Sequence, residues 1–412
     1  MHRLKDIDIR RLFLALVASI YISISIYEAV LILTVVFFFY KYRDIDKRQL
    51  AGYFTVPVVL YIVAMIVPTL LFAVHSRYAG QGYARTFFAL AYLPALAVGA
   101  DTGLLKKYGH IIFAGGVVWA ATAYIKYFVL KAPAPHGLWG SAFELGNLVS
   151  ISAMVAFGMI ASSHTDTPLR KALYVLAFFF MTGTIVLTFE RTAWLDMGFG
   201  IVFFLYLSLG RMKISRKSMV LAGMVLALAL GLSVRFFARH DPRFLLIEKM
   251  VAGKKITYGD LNTITSDRLY KLTASLRIIG SDIEHRRYLN VVLGHGFRAG
   301  AAIKGIDYGP EPVNSSFESI SFVSEYIDTG VLGIAYMLLI YMYFLVLLSR
   351  LKRIGVNDGT SMFTVYGITA GIGAYLFGSL FNIFVTPPFF FYLFLLGAVE
   401  NFVRKETVKK VL

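Results

Sequence analysis

Residues 266–297 read SDRLYKLTASLRIIGSDIEHRRYLNVVLGHGF, a polar stretch set between apolar runs that fill most of the remaining chain. It belongs to a longer water-compatible segment, 235–326, in which arginines, lysines, acids, glycines and hydroxyl side chains are mixed. Apolar residues recur at helical spacing within it, at Leu269, Leu272, Leu276 and Ile279, so short helices are expected there. We interpret the segment as one large loop outside lipid and the apolar remainder as its scaffold.

The composition is that of a membrane protein. Of 412 residues, 58% are hydrophobic and 16% are charged, against roughly 25% charged in soluble domains. Mean hydropathy is +0.69, and apolar runs of about 20 residues, the length of a membrane-spanning helix, recur along the chain. The sequence predicts an all-α, polytopic integral membrane protein with about 12 transmembrane helices and one large outer (periplasmic) loop containing short helices.

The predicted spans divide the chain into helices 1–9 in residues 1–234, a periplasmic catalytic loop in 235–327, and helices 10–12 in 328–412. The first two spans lie back to back around Glu28 and form either a bent hairpin or one long tilted helix. The candidate spans are Leu12–Ile26, Ala29–Tyr40, Tyr53–Val74, Arg85–Val98, His110–Leu130, Leu145–Ser162, Ala172–Phe189, Thr192–Leu209, Ser218–Val234, Gly330–Leu348, Phe363–Val385 and Pro388–Phe402.

The distribution of basic residues predicts the orientation in the membrane. With a cytoplasmic N-terminus, each predicted inner loop carries at least two Lys or Arg, as the positive-inside rule requires. Both termini then lie in the cytoplasm and segment 235–326 lies on the far face, periplasmic or extracellular. The net charge of +17 fits this rule and attraction to membrane lipids. A nucleic-acid partner is not expected, because no soluble domain with a basic face is evident.

Cofactor and metal sites are not expected. The chain has no cysteine, no histidine pair at helical spacing, no carboxylate cluster with ligand spacing and no glycine-rich nucleotide loop. An anionic partner is expected instead, since segment 235–316 carries thirteen basic and eight acidic residues, a net charge of +5 on a face where the topology rule gives no reason for it. The alternative is a solvated loop with internal ion pairs.

Single residues point to the same outer boundary. Arg191, in TFERTAW, lies between two apolar runs beside Glu190, and ionisable residues in such places tend to mark a site. The alternative is an arginine that extends to the interface beside Trp194. Arg85, at the outer start of the fourth predicted span, is a weaker example. His295 is flanked by glycines and is either a base or phosphate contact, or a surface residue.

Five motifs occur in order between Ile185 and Tyr341. They are Glu190-Arg191-Thr192-Ala193-Trp194, Ser266-Asp267-Arg268-Leu269, Leu293-Gly294-His295-Gly296-Phe297, Val313-Asn314-Ser315-Ser316, and SEYIDTGVLG at 324–333. In this order, spacing and topology the chain resembles the O-antigen ligase and O-antigen polymerase superfamily. Val313 is a departure, because it stands where ligases of this family carry a histidine.

The resemblance implies a membrane glycosyltransferase of the helical GT-C type that works without metal or other cofactor. It would transfer a glycan from undecaprenyl diphosphate to an acceptor sugar hydroxyl, with inversion, in lipopolysaccharide biosynthesis. The implied catalytic residues are Arg191 and Arg268, with His295 as the candidate in place of the missing histidine; the alternative is that the acceptor is activated in another way. The implied substrate-binding residues are Arg85, Glu190, Arg298, Asn314 and Ser315.

Three functions stay open at this point. A ligase would pass the glycan to lipid A-core, and the basic loop suits a phosphorylated core. A polymerase would use the same donor and extend another lipid-linked glycan, which the departure at Val313 favours. A transporter would need polar sites near mid-membrane, whereas the ionisable residues here gather at the outer boundary, with Glu28 and Glu400 as exceptions.

Overall fold

The computed structural model describes residues 8–43, 46–72, 76–98, 100–132, 134–162, 167–209, 211, 242–265, 268–297, 321–354, 359–381 and 387–411. These residues form helices, turns and connecting segments, with no strand among them. The predicted all-α class is therefore confirmed for this part of the chain. Within the described ranges, seven helices are long and apolar enough to cross a membrane: Ile24–Lys41, Thr55–Phe72, Thr102–Val129, Ala142–Ser162, Pro168–Leu187, Ser321–Arg353 and Met362–Phe381.

The helices are numbered here in chain order over the described ranges. They are α1 (Ile9–Ser19), α2 (Ile24–Lys41), α3 (Lys47–Leu50), α4 (Thr55–Phe72), α5 (Ser76–Ala89), α6 (Tyr92–Val98), α7 (Thr102–Tyr124, continued by a π-helical turn Ile125–Val129), α8 (Ala142–Ser162), α9 (Pro168–Leu187), α10 (Arg191–Ser208), α11 (Pro242–Val251), α12 (Tyr258–Ile264), α13 (Arg268–Glu284), α14 (Tyr288–Leu293), α15 (Ser321–Arg353), α16 (Gly359–Gly378, continued by a 3₁₀ turn Ser379–Phe381) and α17 (Pro388–Val411).

Two breaks between helices differ from the predicted spans. The fourth predicted span, Arg85–Val98, is divided between α5 and α6, because Pro94 lacks an N–H and fits only the first turn of a new helix. The break between the first two spans lies at residues 20–23, and Glu28 is inside α2. The ninth predicted span, Ser218–Val234, lies outside the described residues. The full count of twelve spans therefore stays a prediction.

The centre of the bundle is the pairing of α8 with α16. Small residues let their backbones approach: a Cβ at Gly367 would lie 2.6 Å from the Met154 carbonyl oxygen, and one at Gly158 would overlap the Phe363 carbonyl. In contrast, α9 directs Leu169 and Leu176 outward, with 73% and 65% of their surface exposed. Such apolar exposure on a long helix suits lipid, and it places α9 at the rim of the bundle.

Helices α11 to α14 have 10, 7, 17 and 6 residues and lie within the predicted outer loop. Helix α13 contains the apolar residues whose spacing predicted a helix. Helix α15 follows and is kinked at Gly330, where φ is 64° and ψ is −150°. The kink separates the polar first turns of α15 from its apolar remainder, and the amides of residues 295 and 296, after α14, donate to Ile327 and Asp328 just before the kink.

Candidate functional site

The junction between α9 and α10 positions Glu190 and Arg191. Phe189 has φ of +55°, a left-handed conformation that is uncommon for a bulky residue. Thr188 supports the turn: its hydroxyl donates to the Ile185 carbonyl at 2.7 Å, and its Oγ1 accepts from the Glu190 amide at 3.2 Å. Glu190 is consequently the N-cap residue of α10, and Arg191 is its first residue.

Arginines from three helices meet beside Glu190. Arg191 Nη1 donates to the Ile264 carbonyl at 2.5 Å and so ties α10 to the end of α12. Arg268 starts α13 directly after that turn, and Arg243 lies in the first turn of α11. All three guanidinium groups are close enough to Glu190 to affect its proton affinity. We call Arg191, Arg243 and Arg268 the arginine cluster.

Burial and neighbouring charges both shift pKa values in the arginine cluster and in Glu190. Burial lowers the pKa of Arg268, and the positive charges of Arg191 and Arg243 lower it further, against the opposing effect of Glu190. Burial raises the pKa of Glu190 above its ordinary value, although the three arginines oppose that rise. Among the described residues of this group, three cations and one carboxylate carry a net positive charge in a partly desolvated place, and such an environment can bind a phosphate or diphosphate.

His295 lies in a separate group. Its Nε2 is 2.8 Å from Asp282 Oδ2, and its Nδ1 is 2.9 Å from Asn290 Nδ2. Arg287 lies 3.9 Å from the other carboxylate oxygen of Asp282, whose side chain is only 2% exposed. Both ring nitrogens of His295 are therefore engaged by neighbouring side chains. This arrangement fixes the ring and connects α13 to the turn after α14.

Two glycines bring this turn against the kink of α15. The His295 amide donates to the Ile327 carbonyl at 2.8 Å, and the Gly296 amide donates to the Asp328 carbonyl at 3.0 Å. A Cβ at Gly294 would overlap the backbone of Asp328, and a Cβ at Gly330 would lie 2.5 Å from the Gly294 nitrogen. We call residues 294–296 and 328–330 the glycine clip. Two motifs quoted for the resemblance thus pack against each other.

Arg85 belongs to the surroundings of the glycine clip. Its guanidinium lies 4.1 Å from the centre of the Phe297 ring, and the Phe297 amide donates to Thr69 Oγ1 at 3.3 Å. Arg85 also lies near Glu325 and Asp328, all three close to Tyr61. Through Phe297 it links α5 to the residue that follows the glycine clip, and it is not among the charges that act on Glu190.

Helix α13 separates the two groups. Arg268 is at its start and Asp282 is fourteen residues later, which is about 21 Å along a helix that rises 1.5 Å per residue. The structure therefore brings Arg191, Arg268 and Glu190 together, and it places His295 and Arg85 elsewhere. The remaining predicted site residues, Arg298, Asn314 and Ser315, lie outside the described residues, as does Val313.

Sequence reasoning did not single out Arg243 or Asp282. Arg243 follows Pro242 in the first turn of α11, and Asp282 lies on the same helix as Arg268. The sequence around each residue therefore indicated a position on a helix of the polar segment. What the sequence did not supply was the long-range approach of α11 to the junction before α10. Within the described ranges no group of three or more His, Asp or Glu side chains is arranged to hold a metal ion.

Comparison with known proteins gives a relative without a known activity. No protein-family model matches the chain. The chain is similar to an uncharacterized protein of Aquifex aeolicus (strain VF5), with 28% identity over 326 residues, which are 78% of this chain and 79% of that protein. The similarity extends over most of both chains and names no reaction, so a functional conclusion depends on the chemistry of the site.

Proposed function

We propose that the protein is a membrane glycosyltransferase that transfers a glycan from undecaprenyl diphosphate to an acceptor sugar hydroxyl at the periplasmic face of a bacterial inner membrane. It would act as an O-antigen ligase-like enzyme in lipopolysaccharide biosynthesis, with lipid A-core as acceptor. A polymerase that extends another lipid-linked glycan is the alternative, since both reactions share the donor and the leaving group.

The observation that supports this proposal is the arginine cluster beside Glu190. Arg191 and Arg268 belong to separate motifs far apart in the sequence, yet Arg191 lies close enough to Arg268 to lower its pKa. A guanidinium group presents a planar fork of donors that matches the oxygens of a phosphate.

The cluster suits the charge that develops during glycosyl transfer. As the bond from the anomeric carbon to the diphosphate oxygen breaks, negative charge accumulates on the leaving lipid diphosphate. Prepositioned guanidinium groups stabilise that charge more strongly than they stabilise the intact donor, which lowers the barrier. Partial burial strengthens the effect, because fewer waters screen it.

The membrane setting fits a lipid-linked donor. Helix α9 exposes Leu169, Leu173 and Leu176 in the half that lies farther from Glu190, so a lipid tail extending from the cluster along α9 would meet apolar surface. The positive-inside pattern of the loops favours an external position for α11 to α14. Together these features favour a donor presented from the outer leaflet.

The test is reconstitution of the full chain in liposomes with lipid-diphosphate-linked glycan and either lipid A-core or lipid-linked glycan as acceptor. Arg191→Ala and Arg268→Ala should each reduce turnover by about 10²–10³-fold, the loss typical of one oxyanion-stabilising contact. Arg277→Ala is the matched control, because Arg277 is an exposed arginine on the same helix as Arg268.

The choice of acceptor separates a ligase from a polymerase. Glycan transfer to neither acceptor by the wild-type protein would reject the proposed function. Equal turnover by wild type and by both cluster variants would reject the role of the arginines, whatever the acceptor.

A further inference from the structure

Glycosyl transfer to a hydroxyl requires a group that takes the hydroxyl proton. His295 is the residue that the sequence favoured, but both of its ring nitrogens are engaged, by Asp282 and by Asn290. It is also fixed to the end of α13 that lies about 21 Å from Arg268. The base that accepts the hydroxyl proton beside the arginine cluster is therefore a residue other than His295.

Glu190 is the carboxylate at the arginine cluster. It is half-buried, so part of its side chain remains accessible to a substrate. As the N-cap of α10 it makes no side-chain capping hydrogen bond to the helix. Among the described residues no guanidinium forms an ion pair with it, although Arg268, Arg243 and Arg191 all lie within electrostatic range.

The residues on either side of Glu190 fix its position. Phe189, immediately before it, is held in a left-handed conformation that is unfavourable for a residue other than glycine. The Thr188 hydroxyl anchors the Glu190 amide, and Arg191 is anchored on the other side through Ile264. A carboxylate between two anchored neighbours is directed to one place, which is the preorganisation that a catalytic group needs.

We propose that Glu190 is the general base of the reaction, and that it accepts the proton of the acceptor hydroxyl beside the leaving diphosphate. This inference rests on the proposed function. The acceptor oxygen forms the bond to the anomeric carbon, and its proton passes to the Glu190 carboxylate. The bond from the anomeric carbon to the diphosphate oxygen breaks, and that electron pair stays on the diphosphate, held by the arginine cluster. Water then removes the proton from Glu190.

The electrostatic setting agrees with this role. The charged groups that face Glu190 are Arg191 from α10, Arg243 from α11 and Arg268 from α13. Burial raises the pKa of Glu190 and the three arginines limit that rise. A carboxylate with a raised pKa is a stronger base than an exposed one and still ionises near neutral pH when cations surround it.

The experiment is the pH dependence of glycan transfer by Glu190→Gln, Glu190→Asp and wild type in liposomes. Wild-type kcat/KM should rise with pH on its acidic side as Glu190 ionises. Glu190→Gln should lose about 10²–10⁴-fold in kcat, the usual contribution of a general base. The acidic limb of the pH profile, in which kcat/KM rises with pH, should disappear in this variant. Glu190→Asp should keep a limb at a shifted pH. Glu284→Gln, at an exposed acid at the other end of α13, should behave as wild type.

A second measurement shows that Glu190→Gln folds. Because the folded protein has a raised pKa at Glu190, the unfolded chain loses its proton first, and the free energy of unfolding falls as pH rises from the ordinary pKa to the raised one. Glu190→Gln should lack this fall and should melt no lower than wild type. A folded variant with full kcat, or a slow one that keeps the acidic limb, would overturn the inference. Wild type without transfer would overturn the proposed function itself.

Discussion

Replacing Gly330 by alanine should strongly destabilise the protein, because two separate constraints require glycine there. The residue has φ of 64° and ψ of −150°, a region essentially reserved for glycine, and other residues held in such regions lose about 1–3 kcal/mol. An added Cβ would also overlap the Val292 carbonyl and lie 2.5 Å from the Gly294 nitrogen. These are backbone atoms, so they cannot move aside as a flexible side chain would.

The loss of stability in Gly330→Ala can be worked out from the contacts that must separate to accommodate the added Cβ. Moving the turn away from α15 breaks the hydrogen bonds from the His295 amide to Ile327 and from the Gly296 amide to Asp328. Each contributes about 1 kcal/mol, and with the conformational cost the loss is about 3–5 kcal/mol. For a chain of this size that corresponds to roughly 2 °C per kcal/mol, or a lower Tm by about 6–10 °C.

The assay is thermal unfolding of the full chain in detergent, followed by tryptophan fluorescence. Gly280→Ala is the control, because Gly280 lies within α13 and a Cβ there would have no neighbour within 4 Å. That variant should gain up to about 1 kcal/mol from the better helix propensity of alanine. If Gly330→Ala melts together with wild type, the glycine clip does not hold the outer helices to α15 and the reasoning is wrong.

Three other predictions test separate parts of the structure. Asp282→Ala should lower stability by about 1.5–3 kcal/mol in urea unfolding, because it removes the partner of His295 Nε2, a hydrogen bond to a charged group. Glu400→Gln should lower stability by about 1–3 kcal/mol, because the buried carboxylate accepts hydrogen bonds from the amides before α4 and from the Tyr92 hydroxyl, and an amide has only one acceptor oxygen. Lys254→Cys should react with an impermeant maleimide in intact cells, since the chain has no cysteine of its own.

Matched variants make these outcomes decisive. Glu284→Ala, an exposed acid near Asp282 on α13, should change stability by less than about 0.5 kcal/mol. Lys405→Cys, in the basic end of α17, should react only after the cells are permeabilised. Labelling of the cysteine at 254 only after permeabilisation would reverse the proposed orientation, and equal stability of Asp282→Ala and Glu284→Ala would remove the structural role of Asp282.

The helices were predictable wherever the signal was local. Apolar runs of about 20 residues predicted the long helices, and the spacing of Leu269, Leu272, Leu276 and Ile279 predicted α13. The breaks were less predictable. The break between Ala172–Phe189 and Thr192–Leu209 was predicted, but the left-handed conformation of Phe189 in that turn was not, because a glycine would have been the visible signal. The sequence shows the extent of an apolar run, whereas tertiary packing determines where the helices within it begin and end.

The candidate site was predictable in its residue types and only partly in its arrangement. An arginine at a membrane boundary and an arginine at the start of an outer helix are conspicuous in sequence, and Arg191 and Arg268 do lie together. His295 was equally conspicuous, yet it lies at the far end of α13 and binds Asp282. Which polar residues meet depends on how α13 lies across the bundle, and no local pattern encodes that direction.

The most direct test of the arginine cluster is equilibrium binding of a short-chain polyprenyl diphosphate to the purified protein. Wild type and Arg277→Ala should bind it equally. Arg191→Ala and Arg268→Ala should each bind it at least about tenfold more weakly, a loss of about 1.4 kcal/mol. Higher salt should weaken wild-type binding more than binding by either variant. Unchanged affinity in a double variant of Arg191 and Arg268 would contradict the account, because the cluster would then not hold the diphosphate.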